Sequence, residues 1–182
     1  MRAFRMTALA GLVVALSVAG TQAADVAVKG VHLCCGGCVK AAGGALAKVK
    51  GVSGAQCDRD SQTVSFTATD AKTARAGLRA LAHAGLGGAA TIDGKKTHFP
   101  HQHVKKGTKA DTVTLRGLHL CCGKCIKAAT AAGKGIAGVS SVEADKKHRS
   151  LTLTGSGIDV NAAIAALNKA GFSGHIPRKR KK

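Results

Sequence analysis

The chain has 182 residues, a formal net charge of +19 at pH 7, and neither tryptophan nor tyrosine. Its apolar cores have to be built mainly from Ala, Val, Leu and Ile, which favours two small domains over one large domain. Positive charge of this size indicates a solvated surface or contact with an anionic envelope surface, and the absence of Tyr and Trp argues against nucleic acid as a partner.

The first residues have the pattern of an export signal. Arg2 and Arg5 precede an apolar run over residues 7–19, and small residues follow up to Ala23 and Ala24. The run is too short and too rich in Ala and Gly for a membrane span, although an uncleaved anchor is the alternative. We therefore expect residues 1–23 to be a signal peptide and the mature protein to be periplasmic or secreted after cleavage.

A cysteine-rich segment occurs twice. Residues 30–38 read GVHLCCGGC and residues 117–125 read GLHLCCGKC, so that the two copies hold six of the seven cysteines. Each copy carries an odd number of thiols, and a disulfide between adjacent cysteines would be strained, so the pattern makes a poor disulfide framework. It favours soft-metal binding first and thiol redox chemistry second.

The same order of elements is predicted around each copy. The first unit has strands at 26–30, 52–57 and 63–67, a helix at 39–50, a second helix carrying Leu78 and Leu81, and a weak strand to about 92. The second has strands at 113–117, 139–144 and 150–154, a helix at 126–137, a helix carrying Ile164 and Leu167, and a weak strand to about 176. This βαββαβ order predicts an α+β protein of two tandem ferredoxin-like domains, each an antiparallel sheet with two helices on one face.

The predicted domains span residues 25–92 and 112–176. Between them, residues 93–111 form a Lys-rich segment with His98, His101 and His103, which we interpret as an exposed linker with a loose metal cluster as the alternative. Residues 177–182 form a basic tail, which could hold the protein against anionic lipid or envelope polymer.

The loops Cys35-Gly36-Gly37-Cys38 and Cys122-Gly123-Lys124-Cys125, with the apolar positions that follow them, resemble the heavy-metal-associated (HMA) domain of copper chaperones, metal-pumping ATPases and periplasmic mercury-binding proteins. The resemblance covers nearly all of both predicted domains and implies a metal loop between the first strand and the first helix. A signal peptide ahead of such a domain is similar to the secreted mercury-binding members.

The chain departs from the family pattern around the metal loop. Leu33 and Leu120 stand where the family usually has Met, while Cys34 and Cys121 add a third thiol to each loop. Gly133 replaces an apolar Leu in the second domain. These departures leave the metal and its coordination number open.

The residues themselves also predict a metal site. Thiolates at a loop and the first helical turn can converge on one ion, the helix N-terminus favours the thiolate form, and the loops contain no carboxylate for a hard cation. On an extended strand, burial of Leu33 would turn His32 and Cys34 toward the loop. The candidate metal ligands are Cys34, Cys35, Cys38, Cys121, Cys122 and Cys125, with His32 and His119 as either ligands or exposed strand residues.

Three thiolates suit Cu(I) or Hg(II), and an added histidine would suit tetrahedral Zn(II); Cu(I) is slightly preferred.

We expect a scavenger or chaperone that holds one soft ion per domain and passes it to an acceptor, such as a membrane metal transporter, by thiolate exchange. No catalytic constellation is apparent, so we expect no enzyme. The alternatives are a thiol–disulfide oxidoreductase using the Cys-x-x-Cys pairs and a polyanion-binding repeat with incidental cysteines. Cys57 has no counterpart in the second unit and is interpreted as a lone strand residue, with a disulfide or ligand role as the alternative. Phe172 is interpreted as a core residue, although domains of the resembled family often carry an aromatic residue near the metal loop at this place.

Overall fold

The computed structural model describes residues 22–100, 102 and 104–177. Within these ranges the chain forms four helices and two antiparallel sheets, and none of the helices is long and apolar enough to cross a membrane. The predicted signal peptide up to residue 21, His101, His103 and the tail from residue 178 onward lie outside the described residues.

The first unit is built around a sheet whose strand order is β2-β3-β1-β4-β5. All neighbouring strands in it are antiparallel. Along the chain its elements are β1 (Ala24–Lys29), α1 (Gly36–Leu46), β2 (Val52–Asp58), β3 (Thr63–Ala68), α2 (Ala71–His83), β4 (Ala89–Ile92) and β5 (Lys95–Thr97).

The second unit has a sheet with the order β6-β8-β7, again antiparallel. Its elements are β6 (Lys109–Arg116), α3 (Gly123–Lys134), β7 (Val139–Asp145), β8 (Ser150–Asp159) and α4 (Val160–Lys169). The weak last strand expected near residue 176 is reduced to a single bridge between Arg116 and His175.

Several boundaries differ from those expected. Both cysteine loops enter their helices early, because α1 and α3 begin at Gly36 and Gly123 and thus include Cys38 and Cys125. The segment expected to be an exposed linker contains β5, which pairs with β4 and extends the first sheet. Its Phe99 is buried, so this segment is partly integrated into the fold.

One face of each sheet is covered by its two helices, which contact each other and the strands. Val26 and Val28 of β1 are buried on that face, in alternation with more exposed neighbours. In the second unit α3 lies close to the sheet at Gly133, where an added Cβ would be 2.9 Å from Cδ2 of Leu153. A larger side chain at this point would have to displace Leu153 and Val142, so that glycine allows the close approach of α3 to the sheet.

The two units are joined by reciprocal backbone hydrogen bonds. Gly87 donates to the carbonyl oxygen of Gly171 (3.0 Å), and Ser173 donates to that of Gly85 (3.0 Å). Leu86 and Phe172, which form an antiparallel bridge across this junction, are both fully buried. The apolar cores of the two units are consequently continuous.

The geometry of this junction requires glycine at positions 85 and 171. Both have positive φ angles, +86° and +87°, in a region that other residues rarely adopt. A Cβ at Gly171 would collide with the backbone of Gly30 and His32, and a Cβ at Gly85 with the backbone of Gly117 and His119. Each glycine therefore lets its loop lie directly against the cysteine-bearing segment of the other unit.

We predict that Gly171→Ala lowers the free energy of unfolding by about 1–3 kcal/mol, because alanine is strained at this φ and its Cβ would push the units apart. Urea unfolding of the reduced protein measures the change. The matched control is Gly44→Ala at an exposed position of α1 with open space around it, where alanine should instead add about 0.5–1 kcal/mol. Equal stability of the Gly171→Ala variant and the parent protein would contradict the role given to this junction.

Candidate metal centre

Each cysteine loop is fixed by the strand before it and the helix after it. Cys34 and Cys35 lie between β1 and α1, and Cys38 lies in the first turn of α1. Leu33 and Leu120 are buried in the core, as expected from their apolar character. Their burial anchors the backbone immediately before the first cysteine of each loop.

A polar residue from the neighbouring hairpin also holds each of these segments. Gln62 accepts a hydrogen bond from the backbone amide of Leu33 at its Oε1 (3.0 Å) and donates one from its Nε2 to the carbonyl oxygen of Leu33 (3.3 Å). In the second unit Arg149 donates through Nε to Leu118 (3.1 Å) and through Nη2 to the carbonyl oxygens of Gly117 (2.8 Å) and Ala84 (2.9 Å). Because Ala84 belongs to the first unit, Arg149 ties the second cysteine loop to the end of α2.

The two loops face each other across the junction, so that the six sulfurs form one cluster. The shortest distances between sulfurs of different loops are 3.4 Å, from Cys34 Sγ to both Cys122 Sγ and Cys125 Sγ. Cys121 Sγ lies 3.5 Å from Cys35 Sγ and 3.6 Å from Cys38 Sγ. We expected each predicted domain to hold its own ion, but the structure brings the thiols of both units into a single cluster.

The distances within each loop are similar. Cys38 Sγ is 3.7 Å from both Cys34 Sγ and Cys35 Sγ, and Cys125 Sγ is 3.5 Å from Cys121 Sγ and 3.7 Å from Cys122 Sγ. A metal–thiolate bond of about 2.3 Å places the sulfurs of a tetrahedral or trigonal site about 3.8–4.0 Å apart. The cluster is therefore able to bind a metal ion with little rearrangement.

Two helix N-termini point at the cluster. Cys35 is the N-cap residue of α1 and Cys122 that of α3, both in extended backbone conformation. The positive ends of both helix dipoles favour anionic sulfur, and among the described residues no carboxylate belongs to any of the groups that could hold a metal ion. This environment suits thiolates and the soft ions that they bind.

The thiols of the cluster differ in acidity. The backbone amide of Cys38 lowers the pKa of Cys35, and the amide of Cys125 lowers the pKa of Cys122 to about 6. Burial raises the pKa of Cys34 and of Cys121, and thiol donation to neighbouring sulfurs raises it further. Burial also raises the pKa of Cys125. The thiols of Cys35 and Cys122, at the start of α1 and α3, are therefore more acidic than those of Cys34, Cys121 and Cys125.

Of the two candidate histidines, His32 lies at the cluster. One of its ring nitrogens is within 4.8 Å of Cys34 Sγ and Cys125 Sγ, and its ring stacks on Phe172 at a centroid distance of 4.7 Å. The Nε2 atoms of His32 and His119 are both buried without a hydrogen-bond partner among the described residues. Burial lowers the pKa of both imidazoles, which favours the neutral form that binds metals.

Among the described residues, Cys57 and His98 take no part in the cluster. Within the described ranges, the groups of residues that could hold a metal ion include neither Cys57 nor His98. Cys57 is half-buried in β2, where burial raises the pKa of its thiol. Phe172 is buried as expected, and it also serves as the stacking partner of His32 from the opposite unit.

Sequence reasoning did not find the residues that bring the loops together, namely Gln62, Arg149, Gly85 and Gly171. Their backbone hydrogen bonds leave little trace in a hydropathy pattern. The signal available in the sequence was the odd number of thiols in each loop, because three thiols of one loop can form a joint site with the three thiols of the other.

No family model and no curated protein matches this chain. A solved structure described as "Crosstalk between Cu(I) and Zn(II) homeostasis" is similar over 37% of this chain and 100% of that chain, with 20% sequence identity and a TM-score of 0.34. A likeness at that level carries no argument about this protein.

We predict that iodoacetamide at pH 7 alkylates Cys35 and Cys122 of the reduced protein before Cys34 and Cys121. The reason is that a lower pKa gives a larger thiolate fraction, and the thiolate is the reacting form. Mass spectrometry of peptides after short labelling times measures the order. Faster labelling of Cys34 and Cys121 would contradict the assigned acidities, and labelling after unfolding in urea, where the four rates should converge, is the control.

Proposed function

We propose that this protein is an exported carrier or scavenger of soft metal ions, which it holds at the six-thiol cluster and passes on by thiolate exchange. The observation that carries the proposal is the convergence of Cys34, Cys35, Cys38, Cys121, Cys122 and Cys125, with sulfur–sulfur distances of 3.4–3.9 Å. Thiols at these separations repel one another once ionised, and a bound cation removes that repulsion.

The ligand set selects the class of ion. Sulfur donors without carboxylates favour Cu(I), Hg(II) and Zn(II) over calcium or magnesium. Cu(I) is our first choice, because the cluster offers groups of three sulfurs, and Zn(II) prefers four ligands. For Zn(II), His32 could supply the fourth ligand beside the three sulfurs of Cys34, Cys38 and Cys125.

The exposure of the sulfurs suggests a route for transfer. Cys38 and Cys125 are fully buried, whereas Cys34, Cys35, Cys121 and Cys122 are half-buried at the rim. An acceptor thiolate would first replace a rim sulfur on the ion, so that one metal–sulfur bond forms as another breaks. The released cysteine takes up a proton, the acceptor thiol gives one up, and no electron is transferred.

We further propose that both units are ferredoxin-like domains of the heavy-metal-associated type. The strand order β2-β3-β1-β4 in the first sheet and the position of each cysteine loop between a strand and a helix support this assignment. Periplasmic or secreted location, binding rather than catalysis, and a membrane transporter as the acceptor belong to the same proposal. The basic composition fits an anionic envelope surface.

We predict that the reduced protein takes up Cu(I) under anaerobic conditions in competition with a chromogenic Cu(I) chelator. Replacing all six cluster cysteines by serine should abolish this uptake, because the softer sulfur ligands are lost. Absorbance of the chelator complex measures uptake, and circular dichroism shows whether the variant is folded. Cys57→Ser is the matched control and should bind like the parent, while a parent protein that leaves all the copper with the chelator would refute the proposal.

A thiol–disulfide oxidoreductase is the second candidate, because Cys35 and Cys38, like Cys122 and Cys125, have sulfurs only 3.7 Å apart. Small rotations would bring such a pair to the disulfide bond length of about 2.05 Å. This reading predicts catalytic reduction of a protein disulfide in the presence of dithiothreitol, which an insulin turbidity assay measures. A rate equal to that of dithiothreitol alone would exclude it and leave the metal carrier.

A further inference from the structure

We infer that the centre takes four Cu(I) ions in one cage, in which every cluster sulfur bridges two ions. The inference rests on the proposed function and adds the number of ions and the way in which the sulfurs are shared. It is carried by the positions of the six sulfurs relative to one another.

The sulfurs are arranged in triangles. Cys35, Cys38 and Cys121 form one triangle with edges of 3.5, 3.6 and 3.7 Å, and Cys34, Cys38 and Cys125 form another with edges of 3.4, 3.7 and 3.9 Å. Two further groups of three, whose members all lie within 4.8 Å of one another, are Cys34–Cys35–Cys122 and Cys121–Cys122–Cys125. The edges of the first two triangles, 3.4–3.9 Å, are slightly shorter than the separation of about 4 Å between the sulfurs of a three-coordinate thiolate site, so that a small expansion would admit an ion.

These four triangles share their corners in a regular way. Each of the six sulfurs belongs to two of the four triangles, and each pair of triangles has one sulfur in common. Four trigonal ions make three bonds each, and six sulfurs that bridge two ions each supply the same number of bonds. The cluster therefore matches a closed cage of four ions with no sulfur left over.

The third thiol of each loop is essential to this arrangement. Cys34 and Cys121, which an ordinary Cys-x-x-Cys loop lacks, each form part of two triangles. Without them, each remaining pair could hold an ion separately, but the bridges between the triangles would be lost. The cage thus gives a chemical reason for the doubled cysteines in the sequence.

The charge of the loaded cage fits its surroundings. Four Cu(I) ions displace six thiol protons to solvent, which leaves the core with two negative charges and requires no oxidant or reductant. The N-termini of α1 and α3 face this core, and each contributes about half a positive charge. Lys40, Lys124 and Lys127 follow in the same two segments.

The test is an anaerobic titration of the reduced full-length protein with Cu(I), followed by native mass spectrometry. Bridging thiolates couple the sites, so we expect the four-copper form to appear beside the metal-free form with little of the one- to three-copper forms. X-ray absorption of the loaded protein should show three sulfur neighbours per copper and a copper–copper shell.

The variants separate the cage from independent binding at two loops. Cys34→Ser combined with Cys121→Ser keeps both Cys-x-x-Cys pairs, and we expect it to lose the four-copper form and bind no more than two ions. Cys57→Ser, the matched control, should keep the four-copper form. The parent protein should also remain monomeric by the mass measured in the same spectra.

Two different failures can be told apart. Saturation of the parent protein at two coppers, unchanged in the double variant, would overturn the cage while leaving the soft-metal carrier intact. Failure of the parent protein to bind any copper would overturn the proposed function itself.

Discussion

The six-thiol cluster depends on the carbonyl oxygens of two glycines. That of Gly171 accepts the amides of His32 (3.3 Å) and Gly87 (3.0 Å), and that of Gly85 accepts the amides of His119 (3.2 Å) and Ser173 (3.0 Å). Each carbonyl thereby fixes the backbone just before the cysteines of the opposite unit. Neither loop could be placed against the other by its own unit alone. The distances of 3.4–3.9 Å between sulfurs follow from this exchange of contacts.

Much of the fold could be predicted because it is encoded locally. The alternation of Val64 and Phe66 with polar neighbours places β3, and Leu78 and Leu81 give α2 its buried face, as expected. Burial of Leu33 also follows from its apolar character. By contrast, β5 has polar and charged residues, and its pairing with β4 rests on backbone hydrogen bonds that leave no hydropathy signal. The convergence of the loops was missed for a similar reason, because it depends on glycine backbones and on Arg149, which reaches Ala84 across the junction.

The two halves share a plan but differ where they touch the cluster. Gln62 holds the first loop through its amide group, while the second loop is held by a guanidinium group that also reaches the other unit. Phe172 stacks on His32, whereas Leu86 occupies the corresponding position in the first unit. The positive charge of Arg149 lowers the pKa of His119 in addition to burial. The repeat is therefore asymmetric in the two histidines, and among the described residues His32 is the one whose ring nitrogen lies close to thiols of the cluster.

Because the two halves are covalently connected, dilution does not separate the two sets of thiols. A centre assembled from two separate chains would come apart as their concentration fell. Here both sets of thiols belong to one polypeptide, and the segment between them is itself anchored by β5 and by Gln102, whose Oε1 accepts the amide of Ile176. The effective concentration of one loop at the other is set by the chain and not by expression level. A cell could thus keep only a trace of this protein and still have a complete set of sulfurs in every molecule.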